Sequence, residues 1–268
     1  MTGGAAGSRA RPIRHGDLQR IAAFRAGFAR RQAADVSDVP GGVAVLNPAY
    51  AASYEHNQLV IDGNPEPEEL PAAADRALGH LPHRRIAVLD DAVGLGCAPV
   101  LTAAGYTHEA ELVMRYEGTA AAPPRRPAET VTLDDLRAAL TGQLRIWMPD
   151  ADDTAVRQLT DRRLARLRGA GQVRFLAVRD EHGEVGSWAD LYLDPAEGVA
   201  QIEEVVTADA HLRRGYAGTT LATALHLAAD CGLVFLVADP DDWPRAWYAR
   251  RGFRPVGRSH VFTKAPAG

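Results

Sequence analysis

The chain has little of what marks secreted, membrane-bound or nucleic-acid-binding proteins. Its 268 residues include only two cysteines, Cys97 and Cys231, which excludes a disulfide framework and favours a reducing compartment. No apolar run approaches the roughly 20 residues that cross a bilayer, and residues 1–12 lack the apolar core of a signal peptide. A net charge of -4 argues against nucleic acid as a partner. These absences predict a soluble, cytoplasmic monomer or homodimer that binds neither nucleic acid nor membrane.

Motifs of several common enzyme classes are missing as well. The nine histidines show no metal-ligand spacing with cysteines or carboxylates, so we predict no metal. Neither a Gly-x-Ser-x-Gly sequence nor a Walker sequence occurs, which excludes two frequent interpretations of a glycine-rich turn. The hydrophobic fraction of 46% and the charged fraction of 24% are ordinary for a globular protein.

A glycine-rich turn between a strand and a helix is the most informative feature that is present. Residues 205–233 read VVTADAHLRRGYAGTTLATALHLAADCGL, with Arg213 and Arg214 directly before Gly215. Apolar residues recur at helical spacing after the turn, at Leu221, Ala224, Leu225 and Ala228. Small residues let a ligand approach the backbone, and the free N–H groups of a helix N-terminus attract anions. The turn therefore predicts a phosphate or pyrophosphate site.

A change of composition divides the chain into two halves. Residues 118–129, GTAAAPPRRPAE, are rich in proline and alanine and have no apolar period, which is typical of a linker. After a disordered tail at 1–12, residues 13–117 form the first predicted domain, and residues 130–268 form the second. The patterns predict helices at 13–34, 66–78, 93–104, 133–140, 153–167 and 244–251. They predict strands at 43–46, 58–61, 85–89, 106–116, 173–178, 184–193, 200–207, 233–237 and 253–262.

Two further motifs flank the turn in the second half. The sequence QIEEVVT precedes it, and WYARRGF follows it after the apolar strand LVFLV. In this order the segment 130–264 resembles the GNAT N-acetyltransferase superfamily. That family grips the pyrophosphate of acetyl-CoA with a Gln/Arg-x-x-Gly-x-Gly/Ala turn, which matches at Gly215 and Ala217 and departs at Leu212. Its closing Tyr-x-x-x-Gly-Phe element matches in full from Tyr248 to Phe253.

The resemblance implies acetyl-CoA as co-substrate and assigns roles to residues. The backbone N–H groups of Val205 and Val206, on a splayed strand, would stabilise the oxygen on which negative charge develops. Tyr248 would protonate the departing thiolate. The expected cofactor-binding residues are Val205, Val206, Thr207, Arg213, Arg214, Gly215, Tyr216, Ala217, Gly218 and Thr219.

The chemistry itself requires a base. An attacking amine must be neutral, yet an alkyl ammonium has a pKa near ~10.4, so a carboxylate within reach must remove a proton. Glu203 and Glu204 are the candidates, and strand alternation would place them on opposite faces. The resemblance favours Glu203, twelve residues before Gly215, with Glu204 in reserve. Asp190 and Asp194 could hold a cationic substrate, although ordinary turn and edge residues are the simpler interpretation.

Other conspicuous side chains have simpler structural interpretations. His211 beside the turn reads as an exposed loop histidine rather than a cofactor contact. Trp147, Trp188 and Tyr192 are candidates for the acceptor pocket, although such aromatic residues more often belong to a core. The arginines of the helix 153–167 read as a solvated face: Arg157, Arg162, Arg163, Arg166 and Arg168.

The first half repeats the order of the second half without its chemical residues. Its turn, DGNPEPEEL, has three glutamates and no arginine pair, and Leu101 stands where Tyr248 stands. Gly105-Tyr106 corresponds to Gly252-Phe253. The predicted fold class is therefore α/β with mixed sheets: two GNAT-like domains in tandem, each a mostly antiparallel sheet flanked by helices. The first would be non-catalytic, bury one face of the second and shape the acceptor pocket; an unrelated α/β domain is the alternative.

The leading functional prediction is an acetyl-CoA-dependent N-acetyltransferase. It would acetylate a primary amine of a small molecule by direct attack on the thioester. Two alternatives stay open: a non-catalytic acyl-CoA-binding regulatory module, and a protein N-acetyltransferase.

Overall fold

A computed structural model describes residues 15–119 and 122–265. The predicted tail at 1–12 lies outside the described residues. Eight α-helices occur in the described ranges: α1 His15–Gln32, α2 Leu70–Leu78, α3 Asp91–Ala103, α4 Leu133–Trp147, α5 Asp153–Asp161, α6 Arg163–Arg166, α7 Tyr216–Leu227 and α8 Pro244–Ala249. None of the described helices is both long and apolar enough to cross a membrane.

Eleven strands form one sheet. They are β1 Asp35–Val39, β2 Gly42–Leu46, β3 Gln58–Ile61, β4 Arg84–Val88, β5 Thr107–Tyr116, β6 Glu129–Val131, β7 Gln172–Arg179, β8 Val185–Asp194, β9 Val199–Thr207, β10 Leu233–Ala238 and β11 Phe253–Lys264. Their spatial order is β1-β2-β3-β4-β11-β5-β10-β9-β8-β7-β6. Only the pairs β3–β4 and β9–β10 are parallel. The predicted fold class, mixed α/β with two similar halves, is confirmed.

The two halves exchange their last strands at the centre of the sheet. Strand β11, from the end of the chain, pairs with β4 of the first half, and β5 of the first half pairs with β10 of the second. β11 and β5 then pair with each other along most of their length. The two predicted sheets are therefore joined into one, with strands of both halves interleaved at the middle.

Helices cover both faces of this sheet. Helix α1 buries Ile21, Phe24 and Phe28 against Val113 and neighbouring strand residues. Helix α7 packs its predicted apolar stripe against the opposite face, around Leu112. Neighbouring residues of a strand point to opposite faces, so α1 and α7 sandwich the centre of the sheet.

Local sequence explains where several helices begin. At the start of α4, the Thr132 side chain accepts a hydrogen bond from Asp135 N, and Asp135 accepts one from Thr132 N, which forms a capping box. Asp90 caps α3 by accepting a bond from Val93 N at 3.0 Å.

Two predictions about elements are wrong. The single helix expected at 153–167 is divided at Arg162 into α5 and α6. Its arginine face is not solvated throughout, because the side chains of Arg163 and Arg166 are only 2% exposed. They are buried because carboxylates from the sheet pair with them, a tertiary contact that helical spacing does not reveal.

Candidate active site

Strands β9 and β10 separate before β9 ends. Their parallel pairing covers only Leu233 to Phe235 against Val199 to Gln201, although β9 continues to Thr207. On its other side, β9 stays paired with β8, up to Thr207. The β10-facing edge of Val205, Val206 and Thr207 therefore lies in a gap between two strands. This separation of β9 from β10 is the splay that the predicted N–H donors of Val205 and Val206 require.

A β-bulge coincides with the splay. Trp188 of β8 pairs with Val206, and Asp190 pairs with Glu203, so β9 carries one more residue than β8 in this interval. Glu204 takes up the irregularity with a positive φ of 49°, an uncommon conformation for a side chain larger than glycine. A bulge bends a strand and re-aims the side chains beside it.

The glycine-rich turn has the backbone of an anion site. Arg213 and Gly215 both have positive φ, 64° and 83°, and Gly215 lies immediately before α7. The first helical hydrogen bond runs from Thr219 N to Gly215 O, and no side chain of the described residues caps this helix. The N–H groups of residues 216–218 are thus free donors at the positive end of a helix dipole.

Side chains fix the turn against the splayed strand. The Tyr216 ring packs so closely over Gly186 that a Cβ there would lie 2.6 Å from it. Ser187 donates to Val206 O at 2.7 Å and receives a hydrogen bond from Thr220 of α7 at 3.0 Å. Because the Tyr216 ring points toward β8, only the backbone N–H of this residue is placed for the predicted contact with a cofactor.

Three arginines stand at the turn. Arg213 and Arg214 are exposed. Arg251, which sequence reasoning missed, follows α8 and stacks over Trp247 with its Cζ atom 3.8 Å from the ring centre. A Cβ on Gly218 would lie 3.8 Å from Nη2 of Arg251, so this guanidinium adjoins the start of α7. The arginine in Tyr-x-x-Arg-Gly-Phe was the sequence signal for it.

A cavity of about 630 Å³ opens on the α1 side of the splay. Both halves of the chain line it: α1, β4 and β5 contribute walls, as do β9 and the segment after β10. Its charged lining includes six carboxylates and three arginines: Glu55, Glu109, Glu111, Glu203, Asp239, Asp241, Arg25, Arg85 and Arg166. Two of the carboxylates are already paired, Glu111 with Arg25 at 2.8 Å and Glu55 with Arg166 at 3.1 Å.

Glu203 lies where the cavity meets the splay. Gln201 donates a hydrogen bond to its carboxylate. Burial, together with the carboxylates of Glu55 and Glu204, outweighs the opposing charges of Arg166 and Arg25 and raises the pKa of Glu203 to about 8. A carboxyl whose pKa lies near the working pH is suited to general base catalysis.

Glu204 has a different environment. It pairs with Arg162 at 2.8 Å, with Arg166 at 2.7 Å, and also with Arg163. Burial by itself would raise its pKa, but the arginines outweigh burial and hold this pKa well below its usual range. A carboxylate so strongly held in its charged form is a poor proton acceptor.

Strict alternation of the two glutamates fails at the bulge. Glu204 shares Arg166 with Asp190, which lies opposite Glu203 in the sheet. Both glutamates therefore lie near the same charges, and Arg166 lowers the pKa of each, contrary to the prediction of opposite faces. The positive φ of Glu204 breaks the strand repeat. Asp190 is fully buried by Arg163 and Arg166, so it is not free to hold a substrate.

Tyr248 is half-buried beside Glu203. Its ring contacts Trp247 and Phe253, with ring centres 5.1 and 5.7 Å away. Burial raises the pKa of Tyr248, and the charge of Glu203 raises it further. The hydroxyl therefore stays protonated at neutral pH and has a proton to donate.

The remaining candidates lie outside this arrangement or in the core. Trp188 is buried under α4, Trp147 is exposed at the end of α4, and Tyr192 lines the cavity, where it hydrogen-bonds Asp190. His211 is buried, contrary to the prediction of an exposed loop residue, because its Nε2 bonds Asp180 at 3.1 Å.

The described residues include one group of possible metal ligands. Atoms of Asp180, Glu184 and His211 lie within 4.8 Å of one another. Asp180 already accepts hydrogen bonds from the N–H groups of His182 and Glu184, so it is satisfied as a turn residue. The absence of a metal remains a prediction.

The first half has a closed counterpart of the splay. Strands β3 and β4 pair as β9 and β10 do, from Leu59 to Ile61, and Leu89 N then donates to Ile61 O at 3.0 Å. This bond keeps β3 paired up to its last residue and extends one residue past the end of β4. The turn that follows begins with a short 3-10 helix at Pro67–Glu69 rather than with free α-helical N–H groups.

Solved structures share this architecture over nearly the whole chain. A GCN5-related N-acetyltransferase from Kribbella flavida is 20% identical, with a TM-score of 0.65 over 95% of this chain and 98% of that one. A functionally unknown protein from Staphylococcus epidermidis is 13% identical, with a TM-score of 0.64 over 86% and 93%. A tandem GNAT protein from the clavulanic acid biosynthesis pathway is 15% identical, with a TM-score of 0.51 over 94% and 96%. These likenesses show the fold.

The sequence supports a narrower statement. Residues 136–253 match the model of the acetyltransferase (GNAT) family, whereas no curated protein matches the chain. Residues 136–253 therefore form a GNAT acetyltransferase domain, which is the domain of an acyltransferase enzyme. The resemblance seen in the motifs is confirmed, and the family uses acetyl-CoA as its acyl donor.

Proposed function

We propose that the protein transfers an acetyl group from acetyl-CoA to a primary amine of a small molecule. The observation that carries this proposal is the position of Glu203. It adjoins the strand splay on one side, where its charge raises the pKa of Tyr248, and the cavity on the other. A base between donor and acceptor is what direct attack on a thioester needs.

The proposed mechanism assigns each step to a residue. The N–H groups of 216–218, with Arg213, Arg214 and Arg251, bind the phosphates. The strand edge at 205–207 binds the pantetheine arm, and the N–H groups of Val205 and Val206 stabilise charge on the thioester oxygen. Glu203 removes a proton from the amine, directly or through a water. As the carbon–sulfur bond breaks, the Tyr248 hydroxyl donates its proton to the sulfur.

The cavity supports a small acceptor. A volume of about 630 Å³ is within the usual range for a small-molecule site. The exposed carboxylates of Glu109, Asp239 and Asp241 carry no ion pair in the described residues, so they attract a cationic amine.

The two halves have different proposed roles. We divide the chain near residues 118–129. In the first domain, β3 and β4 stay paired up to Leu89, and the turn after β3 is acidic. We propose that this domain does not bind acetyl-CoA and instead supplies α1, Glu55 and Arg85 to the acceptor cavity.

Release of CoA from acetyl-CoA, measured with matched panels of small amines and lysine-containing peptides, tests the proposed function. Amine-dependent release with the acetylated small amine as product is expected. Release with peptides alone would favour a protein acetyltransferase. Tight CoA binding without product from any panel would favour a regulatory acyl-CoA sensor.

A further inference from the structure

A network of ion pairs, buried at Arg166 and partly exposed at Glu55, joins the first half of the chain to the bulged strand. The Arg166 guanidinium, 2% exposed, contacts Glu55 at 3.1 Å, Asp190 at 2.8 Å and Glu204 at 2.7 Å. Arg162 contacts Glu55 at 2.9 Å and Glu204 at 2.8 Å. Of these side chains only Glu55 belongs to the first half, in a single 3-10 turn at Tyr54–His56.

The loop that carries Glu55 is attached to α5 and α6 by further bonds. Ala52 N donates to Gln158 Oε1 at 2.9 Å, and Arg162 donates to Ser53 Oγ at 3.3 Å. Burial would raise the pKa of Glu55, but Arg162 and Arg166 outweigh it and lower this pKa to about 2. Glu55 is therefore charged at every working pH and stays bonded to both arginines.

The network balances three arginines against three carboxylates. Arg162, Arg163 and Arg166 face Glu55, Asp190 and Glu204. A buried charge that loses its partner must find another or take up water. Glu204 sits at the bulge with a positive φ, a conformation that persists only where its surroundings hold it. The three arginines that pair with Glu204 provide these surroundings. Glu55 in turn pairs with two of them, Arg162 and Arg166.

We propose that Glu55 is a positioning residue of the acyl-transfer site: by fixing Arg162 and Arg166 it holds Glu204, and so the bulge that aims Glu203 and opens the strand edge. This assignment gives the first half a part in catalysis without a cofactor of its own. The kinetic test of this assignment rests on the proposed function, whereas its structural test rests on the ion-pair geometry.

The charge of Glu55 also acts on the proposed base. Removing it deletes a nearby negative charge and frees Arg166 to act on Glu203, and both changes favour ionised Glu203. The apparent pKa of Glu203 should therefore fall. The charged and titratable groups facing Glu203 from the elements around it are Arg25 of α1, Glu55, Arg166 of α6, Asp190 and Tyr192 of β8, Glu204 of β9, Glu111 of β5, Asp239 after β10 and Tyr248 of α8.

Glu55→Gln in the full-length protein tests the proposal, with Asp75→Asn as the matched control. Asp75 is an acid of the first half whose partner, Arg84, is outside the network. For Glu55→Gln, kcat should fall roughly 10- to 100-fold, with acetyl-CoA binding unchanged, and the pH midpoint should move down by on the order of one unit. Glu55→Asp should restore the midpoint. Asp75→Asn should change neither.

A wild-type kcat and pH midpoint in Glu55→Gln would overturn the proposal, as would a lower stability with an unmoved midpoint. If Glu55→Gln does not fold, Arg162→Gln replaces it. That variant removes a cation, so its midpoint should move up, and an unmoved midpoint overturns the proposal.

A wild-type protein that releases no CoA with any amine would contradict the proposed function alone. The network is then tested by a carbon-13 NMR titration of the Glu203 carboxyl. A lower midpoint in Glu55→Gln supports the assignment, and an unchanged midpoint contradicts it.

Discussion

At the scale of single residues, the two adjacent glutamates of β9 differ because of their surroundings. Glu204 has three arginine partners and remains ionised, whereas Glu203 has a hydrogen bond from Gln201 and a buried, acidic neighbourhood. The same side chain is thus held as an anion at one position and has a raised pKa, as our proposed base requires, at the next. The family resemblance favoured Glu203, but nothing in the sequence shows which arginines fold over Glu204.

The pKa of Glu203 predicts the pH dependence of the reaction. The base works in its ionised form, so kcat/KM should rise with pH and level off above a midpoint of about 8. A steady-state profile of kcat/KM for the amine from pH 5.5 to 9.5 measures this midpoint, after correction for ionisation of the amine. A profile that is flat over this range would exclude Glu203 as the base.

Tyr248→Phe tests the proton donor at the same scale. The variant keeps the ring contacts to Trp247 and Phe253 but has no proton to give, so kcat should fall roughly 100-fold. Acetyl-CoA binding should stay the same, which equilibrium titration can check. Wild-type turnover of every active amine would show that the thiolate leaves without this hydroxyl.

At the scale of elements, two features form the proposed cofactor site: the splay of β9 from β10 and the N-terminus of α7. The turn sequence LRRGYAG predicted the second feature correctly, because positive φ and free N–H groups follow from Gly215. The splay was implied only by the family resemblance, and the bulge was not predicted. A bulge depends on which residues of the neighbouring strand pair across it, here Trp188 and Asp190.

Substitution of the turn arginines should weaken CoA binding. Arg213→Ala with Arg214→Ala, and separately Arg251→Ala, should each raise the Kd for CoA roughly tenfold, since each removes cationic contacts to phosphates. Arg157→Ala, at an exposed position of α5, is the matched control and should leave the Kd unchanged. The shift should shrink at high salt. Unchanged affinity in both turn variants would remove the assignment of this turn to CoA.

At the scale of the whole molecule, the last strands of the two halves cross over, and the acceptor cavity forms where they meet. Periodicity and turn signals predicted most strands and helices, and the second copy was visible as a repeated order of elements. The crossing of β5 and β11 was not predictable, because both strands fit either edge by pattern alone. For the same reason Glu55 and Arg166, far apart in sequence, gave no signal of their contact across the halves.

The pH dependence of the unfolding free energy should also reveal the raised pKa of Glu203. Its pKa in the folded protein, about 8, lies above the unfolded value near ~4.3. Between these values the folded state binds the extra proton, so this group lowers the unfolding free energy as pH rises, by at most about 1.4 kcal/mol per pH unit. Denaturant unfolding from pH 5 to 8 should show a smaller decline for Glu203→Gln than for the wild type. Glu109→Gln, at an exposed site of the same cavity, should follow the wild type.

Whether Glu203 is the general base is decided by one comparison: the rate of amine-dependent acetyl transfer by Glu203→Gln and by the wild type at pH 8. Glutamine keeps the size of the side chain and its contact with Gln201 but accepts no proton. We predict that kcat falls roughly 100- to 10,000-fold while the Kd for acetyl-CoA is unchanged. Turnover at the wild-type rate, with the same acetylated amine as product, would show that Glu203 is not the base.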